Sequence, residues 1–161
     1  MKVLFIGIFD NNEPNTAFRN ALRGISGGYA EIPHNYYHNT TALQSDIIRE
    51  CTHINPDLIF MQLQGPNIIK DSTLKIMKDT GAFICQWTGD ARQPLPQHYI
   101  EFGRKIDLSL FTNYDDVEVM RSHGVKADYL QVSADHNIYK PEGNKVECPE
   151  IVFMGNNYGD G

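Results

Sequence analysis

The densest group of chemistry-bearing residues is Trp87-Thr88-Gly89-Asp90-Ala91-Arg92, followed by Gln93-Pro94-Leu95-Pro96. It brings an indole, a glycine, a carboxylate and a guanidinium close together in the chain. Asp90 can serve as a general base or hold substrate hydroxyls. Arg92 can neutralise a phosphate or carboxylate, or close the loop by pairing with Asp90. Trp87 can stack on a sugar face or fill a core. Gln62-Leu63-Gln64-Gly65-Pro66 is the second group. In an extended chain Gln62 and Gln64 point the same way. Amides donate and accept, which suits polyol recognition, although they serve equally to tie neighbouring loops. A third group is Gly7-Ile8-Phe9-Asp10-Asn11-Asn12. Asp10 and Asn11 precede a helix N-terminus, which accepts an anion or a sugar hydroxyl, or simply needs a cap. Asn113 is placed to line a cleft, whereas Asp115 and Asp116 suit the start of a helix. Asp135, after strand six, is a further candidate for binding substrate; it and His136 are adjacent, so in an extended chain they face opposite ways and are not a catalytic dyad by default.

Several chemistries lack their residues. There is no GxGxxG and no Walker lysine, so a phosphate cradle of the usual kind is not expected. There is no GxSxG nucleophile elbow. The histidines fall in turns or on polar helix faces, and no metal site and no bound cofactor are expected. Cys51, Cys85 and Cys148 are scattered and odd in number, without a CxxC. They indicate neither a disulfide framework nor zinc, and point to a reducing, cytoplasmic setting.

These residues need a frame. The chain has 161 residues, 41% of them hydrophobic, enough for one domain with a proper core. Its formal net charge of −6 argues against a dedicated nucleic-acid binder. No apolar run approaches the roughly 20 residues a membrane span needs. The apolar start, Met1 to Phe9, has no cleavage-type tail and reads as a strand, not a signal peptide.

Strand-length apolar runs alternate with helical periods. Strands are expected at Val3 to Phe9, Tyr29 to Pro33, Asp57 to Gln62, Ala82 to Trp87, Leu108 to Thr112 and Lys126 to Val132. Helices are expected from near Thr16 to the glycines at 24, 27 and 28, and from a Thr40 or Thr41 cap to Asn55-Pro56. Others run from Asp71 or Ser72 to Gly81, from Gln97 to Lys105, and from Tyr114 to His123-Gly124. This alternation predicts an α/β fold with a doubly wound, Rossmann-like parallel sheet, strand order 3-2-1-4-5-6 and helices on both faces. All the site candidates then follow strand carboxyl ends, where open parallel sheets bind ligands. Residues 1–140 form this domain and 141–150 a linker. Residues 151–161 carry one more strand, Ile151 to Met154, and a glycine-rich turn, the opening of a second domain. That strand lacks neighbours from its own sheet, so it is expected to fray, add to an edge or pair with a second copy.

Four blocks in order resemble a known family: Asp57-Leu58-Ile59-Phe60-Met61-Gln62, Trp87-Thr88-Gly89-Asp90-Ala91-Arg92, Leu110-Phe111-Thr112-Asn113 and Ile151-Val152-Phe153-Met154-Gly155-Asn156. They look like the N-terminal half of GT-B-fold glycosyltransferases of the spore-maturation, CgeB-like kind. Leu130 to Pro141 resembles the G-V-D-x-x-x-F-x-P segment that ends the N-terminal domain of many such enzymes, with Ala134 in place of Gly and Tyr139 in place of Phe. The resemblance implies two Rossmann-like domains facing across a cleft, of which this chain is the acceptor-binding one. It implies a nucleotide-sugar co-substrate, bound by a C-terminal donor domain that this chain lacks, a sugar acceptor as partner, and no required metal. The chain alone is then expected to be inactive.

Two further readings compete. One is a flavodoxin-like or receiver-like binding or signalling module. A receiver needs an acidic cluster after strand one and a lysine after strand five, where this chain has a single Asp10 and Thr112-Asn113. A flavodoxin-like phosphate loop is rich in Ser, Thr and Gly, whereas this loop is rich in Asn. The other is a non-catalytic or regulatory half-protein.

Overall fold

The computed structural model describes residues 1–9, 16–90 and 93–131. Six strands, β1 (Lys2–Gly7), β2 (Gly28–Pro33), β3 (Leu58–Met61), β4 (Phe83–Thr88), β5 (Leu108–Phe111) and β6 (Ala127–Tyr129), alternate with five α-helices. These are α1 (Thr16–Ile25), α2 (Thr40–Ile54), α3 (Asp71–Asp79), α4 (Gln97–Gly103) and α5 (Tyr114–Ser122). A 3-10 turn, His34–Tyr36, follows β2. The strands form one all-parallel sheet, the α/β doubly wound arrangement expected.

The strand order corrects the expectation. It is β2-β1-β3-β4-β5-β6, not 3-2-1-4-5-6. β1 pairs with β2 on one side (Phe5 opposite Glu31) and with β3 on the other (Phe5 opposite Phe60). The chain therefore reverses direction after a single βα unit. Apolar periodicity is blind to this choice, because a right-handed crossover can land on either side of β1 by switching the face its helix covers.

The reversal sorts the helices. α1 lies on the face of Val3, Phe5, Phe60 and Trp87, to which it contributes Phe18 and Leu22. α2 and α3 lie on the opposite face, where Leu43, Ile47, Leu74 and Met77 meet Leu4, Ile6, Ile59 and Ile84. α4 and α5 continue on that second side through Tyr99, Ile100, Val117 and Met120 around Phe111. β1 is covered on both faces, and Val3 through Ile6 have no exposure at all. That is why its sequence runs apolar instead of alternating.

Local chemistry sets the ends. Asn39, not Thr40 or Thr41, caps α2, its side chain accepting the Thr41 N–H at 2.8 Å. Asn55 then ends α2 in the left-handed region at φ 47°. At the amino edge of the sheet two carboxylates tie neighbouring strands. Asp57 accepts the Lys2 N–H at 2.7 Å, and Asp107 accepts the Ile84 N–H at 2.8 Å. β1 stops at Gly7, short of Phe9, because the Phe9 backbone turns aside to Asn35. The expected strand at Ile151, the linker at 141–150 and the domain boundary between them lie outside the described residues.

Candidate functional site

The reversal of strand order falls between β1 and β3, where doubly wound sheets leave a crevice beyond their carboxyl ends. The loops after β3, β4 and β5 lie side by side along the same edge, since those strands are neighbours. Gln64, Asp90 and Asn113 are thereby brought to one edge of the sheet. Asp10, Asn11, Arg92 and Asp135 lie outside the described residues.

The two glutamines part company. Gln62 is buried and continues the ladder, its N–H donating to the Ile6 carbonyl at 2.9 Å. Gln64 is exposed, and Leu63 between them is buried. β3 ends at Met61, so the two-residue period that would align them does not extend to Gln64.

Trp87 fills the core instead of presenting its face to solvent. Its ring centroid is 4.7 Å from that of Phe18, and its Nε1–H donates to the Leu130 carbonyl at 3.1 Å. Two residues on, Gly89 sits against that indole. A Cβ at position 89 would come within 2.5 Å of the ring. The glycine is thus required by Trp87 itself, independently of any ligand. The Thr112 hydroxyl donates to the Gly89 carbonyl at 2.9 Å and ties the β4 and β5 loops together. Asp90 stands exposed just beyond this knot.

Asn113 is the N-cap of α5. Its Oδ1 accepts the Asp116 N–H at 2.8 Å, and its Nδ2 donates to Asp116 Oδ2 at 2.6 Å. Asp116, buried at the first turn, completes the cap beside the positive end of the helix. Both groups of the Asn113 amide are thus committed to the fold.

The β1/β3 reversal point is stitched by the 3-10 turn after β2. The Phe9 N–H donates to Asn35 Oδ1 at 2.9 Å, and Asn35 Nδ2 donates back to the Phe9 carbonyl. His34 reaches across β1 to the Gln62 carbonyl, with Nε2 at 3.0 Å. A carbonyl only accepts, so Nε2 carries the proton. Burial holds the His34 pKa below its ordinary 6.5, against a partial rise from that hydrogen bond. His34 and His38 are four positions apart in the sequence, but His34 is occupied with Gln62. Among the described residues no three His, Cys, Asp or Glu side chains gather to hold a metal.

Sequence reading missed Gln86. It is polar in the middle of an otherwise apolar strand, Phe83-Ile84-Cys85-Gln86-Trp87, and 6% exposed. A buried polar residue in such a run was the available signal. Its Nε2 donates to the Leu63 carbonyl at 3.2 Å and lies 3.4 Å from the Thr88 hydroxyl. Its Oε1 is buried with no hydrogen-bond partner. Such a group costs about 1–3 kcal/mol. Gln86 lines a cavity between the β3–α3 loop and α4.

Other groups serve the scaffold. Arg19 pairs with Glu31 at 2.7 Å and Arg23 with Glu31 at 2.9 Å, while the Tyr29 hydroxyl donates to the same carboxylate at 2.9 Å. Burial pushes the Glu31 pKa up, but hydrogen bonds from Arg19 and Tyr29 and the charges of Arg19 and Arg23 outweigh it. Glu31 is left below the usual carboxylate value. Burial also raises the Cys51 thiol to about 11 and the Cys85 thiol to about 12, so neither is a nucleophile at neutral pH. Among the described residues no helix is long and apolar enough to cross a membrane.

The edge is suited to hydrogen-bonding a hydroxylated ligand: an exposed carboxylate, an exposed amide and backbone turns held by Thr112 and Asn35. Compared with models of protein families and with curated proteins, the chain matches none.

Proposed function

We propose that this chain is the acceptor-binding half of a glycosyltransferase that moves a sugar from a nucleotide-sugar donor to an acceptor hydroxyl in the cytoplasm. The observation that carries the reading is the setting of Asp90. It is an exposed carboxylate on the carboxyl edge of a parallel sheet, just beyond the Trp87–Gly89 step and the Thr112 tie, beside the loop that carries Gln64. A carboxylate so placed can accept a proton from an acceptor hydroxyl or hold a neighbouring hydroxyl. Arg92, two positions on, would hold Asp90 or an anionic group. The donor is assigned to a separate domain, so the chain alone binds acceptor without turnover.

The strand order favours one other reading. The run 2-1-3-4-5 is that of flavodoxin-like binding modules, which place their ligand at the β1/β3 reversal. Here that point is stitched by His34 and Asn35.

An amide-resolved NMR titration with a panel of mono- and disaccharides, UDP-glucose and FMN separates the two. The glycosyl reading expects at least one saccharide to shift the signals of Gln64, Gly89 and Asp90, with UDP-glucose and FMN silent. Shifts from FMN around Phe9 and Gln62, with no saccharide active, would replace it by the flavodoxin-like reading.

A further inference from the structure

Tyr114 opens α5 just after β5, and Tyr129 ends the neighbouring strand β6. Their rings lie face to face, 9° from parallel, with centroids 4.3 Å apart. Tyr129 is half-buried and packs against the cluster around Phe111 and Val117, which fixes its ring. Tyr114 covers one face with Tyr129 and is still 65% exposed, so its other face is turned to solvent. A ring already held by its neighbour costs a ligand little ordering entropy.

The pair is fastened to the edge assigned to the acceptor. The Thr112 hydroxyl, two positions before Tyr114, donates to the Gly89 carbonyl, one position before Asp90. The Trp87 Nε1–H, on the same β4 segment, donates to the Leu130 carbonyl, next to Tyr129. Both tyrosines are thus tied to the stretch of chain that delivers Asp90.

Charge narrows what can lie on the open face. Asp115 follows Tyr114 directly, and both Asp115 and Asp90 are exposed. Arg121, on the same helix, is engaged by Glu118 at 3.1 Å and by Asp128 at 3.4 Å. A nucleotide would bring its phosphates against these carboxylates. A quaternary ammonium is held by a cage of several rings, and here a single face is open. A neutral pyranose fits both limits. Its axial C–H bonds are electropositive and suit the electron-rich face of an aromatic ring. Its hydroxyls stay at the rim, where carboxylates and amides take them. Gln131 adds an exposed amide there, its Oε1 accepting the Tyr129 hydroxyl.

We propose that Tyr114, backed by Tyr129, is the platform on which a pyranose ring of the acceptor stacks, which makes the acceptor a carbohydrate. Calling that sugar the acceptor rests on the glycosyl reading, whereas the stacking does not.

The test titrates the intact chain with methyl β-D-glucopyranoside, whose ring hydrogens are axial. Sorbitol, which has similar hydroxyls but no ring face, AMP and choline are the comparison probes. The glycoside is expected to shift the Tyr114 and Tyr129 ring signals and the Asp90 amide. Saturating the tyrosine ring signals should mark its ring C–H hydrogens. Sorbitol, AMP and choline should each bind at least about tenfold more weakly. Tyr114→Phe keeps the face and should hold affinity within about twofold, whereas Tyr114→Ala should lower it by about tenfold or more, with circular dichroism confirming both folds. Glycoside shifts at Gln64, Gly89 and Asp90 that survive Tyr114→Ala would overturn the platform and leave the glycosyl reading standing. Shifts confined to the two tyrosines and lost in Tyr114→Ala would keep the platform and remove that reading. Sorbitol equal to the glycoside, tighter binding of AMP or choline at Tyr114, or no response to millimolar glycoside would overturn the proposal.

Discussion

Asn35 and Phe9 are joined by a closed ring of two hydrogen bonds, each residue donating one and accepting one across 26 positions of sequence. The ring fixes where β1 ends and where the following loop departs. Asn35→Asp keeps the acceptor but sets a charged oxygen against the Phe9 carbonyl. Asn35→Ala merely removes both partners. Urea denaturation should show Asp losing about 1 kcal/mol more than Ala, since a repelled, part-buried pair costs more than an absent one. Equal losses would mean that the Asn35 nitrogen does not face Phe9.

His34 gives the fold a pH dependence of known sign. Its pKa in the fold lies below 6.5 because burial disfavours the cation. Above 6.5 neither folded nor unfolded chain holds the extra proton. Below it the unfolded chain takes the proton first, so stability falls with falling pH until the folded pKa is passed. Glu31 acts lower, its contribution present above 4.5 and lost beneath that value. Denaturation midpoints between pH 8 and 5.5 should therefore decline in the wild type and decline less in His34→Gln. Identical slopes would remove His34 as the cause.

Gly89→Ala should destabilise the chain by about 1–3 kcal/mol, the usual cost of overpacking. The added methyl would come within 2.5 Å of the Trp87 ring, itself held by Phe18 and the Leu130 carbonyl. Trp87→Phe should relieve much of that cost, so the double variant is non-additive. Trp87 is the only tryptophan, and its fluorescence reports the displacement directly.

Asn113 separates capping from recognition. Asn113→Ala should cost about 1 kcal/mol, and Asn113→Ser should recover most of it, since serine caps nearly as well. Thermal melts of the two variants measure this. A serine variant as unstable as the alanine one would show that the bond from Nδ2 to Asp116, not the cap, carries the effect.

Asp90→Asn keeps the size and shape of an exposed side chain, so the chain should stay folded. In the isolated chain it should weaken binding of whichever saccharide shifts the Gln64 and Gly89 signals. Joined to a donor domain, it should lower transfer by about 10²-fold or more if Asp90 is the base. Undiminished binding and turnover would make Asp90 a loop residue only.

The elements were legible because each carries a local signal. Val3 to Ile6 is apolar throughout, Asn55-Pro56 and Gly81 stop helices, and Gln97 opens α4 directly after a proline. The order of the strands was not legible, because no local signal says on which side of β1 the third strand lands. The site was legible only as a location. That Gln64 and Asp90 share an edge follows from topology. That Trp87 and Asn113 are consumed by the fold depends on Phe18, Leu130 and Asp116, contacts that spacing alone does not specify. Gln86 was visible as a polar residue in an apolar strand, but its cavity is made by the β3–α3 loop and α4, which periodicity does not bring together.

The reversal of strand order also sets how the sheet can be assembled as the chain is synthesised. β2 can dock on β1 as soon as it emerges. β3 must then reach past β1 to its far side, closing the contact between Lys2 and Asp57 over 55 residues. After that, β4, β5 and β6 each land beside the strand made immediately before. Doubling a loop adds only about 0.6 kcal/mol of closure cost, so the one long closure is a mild delay and not a barrier. A sheet ordered 3-2-1-4-5-6 would leave the far side of β1 bare until its fourth strand appeared. Here Phe5 and Ile6 gain neighbours on both sides once the third strand is out, which shortens the time an adhesive central strand spends uncovered on the ribosome.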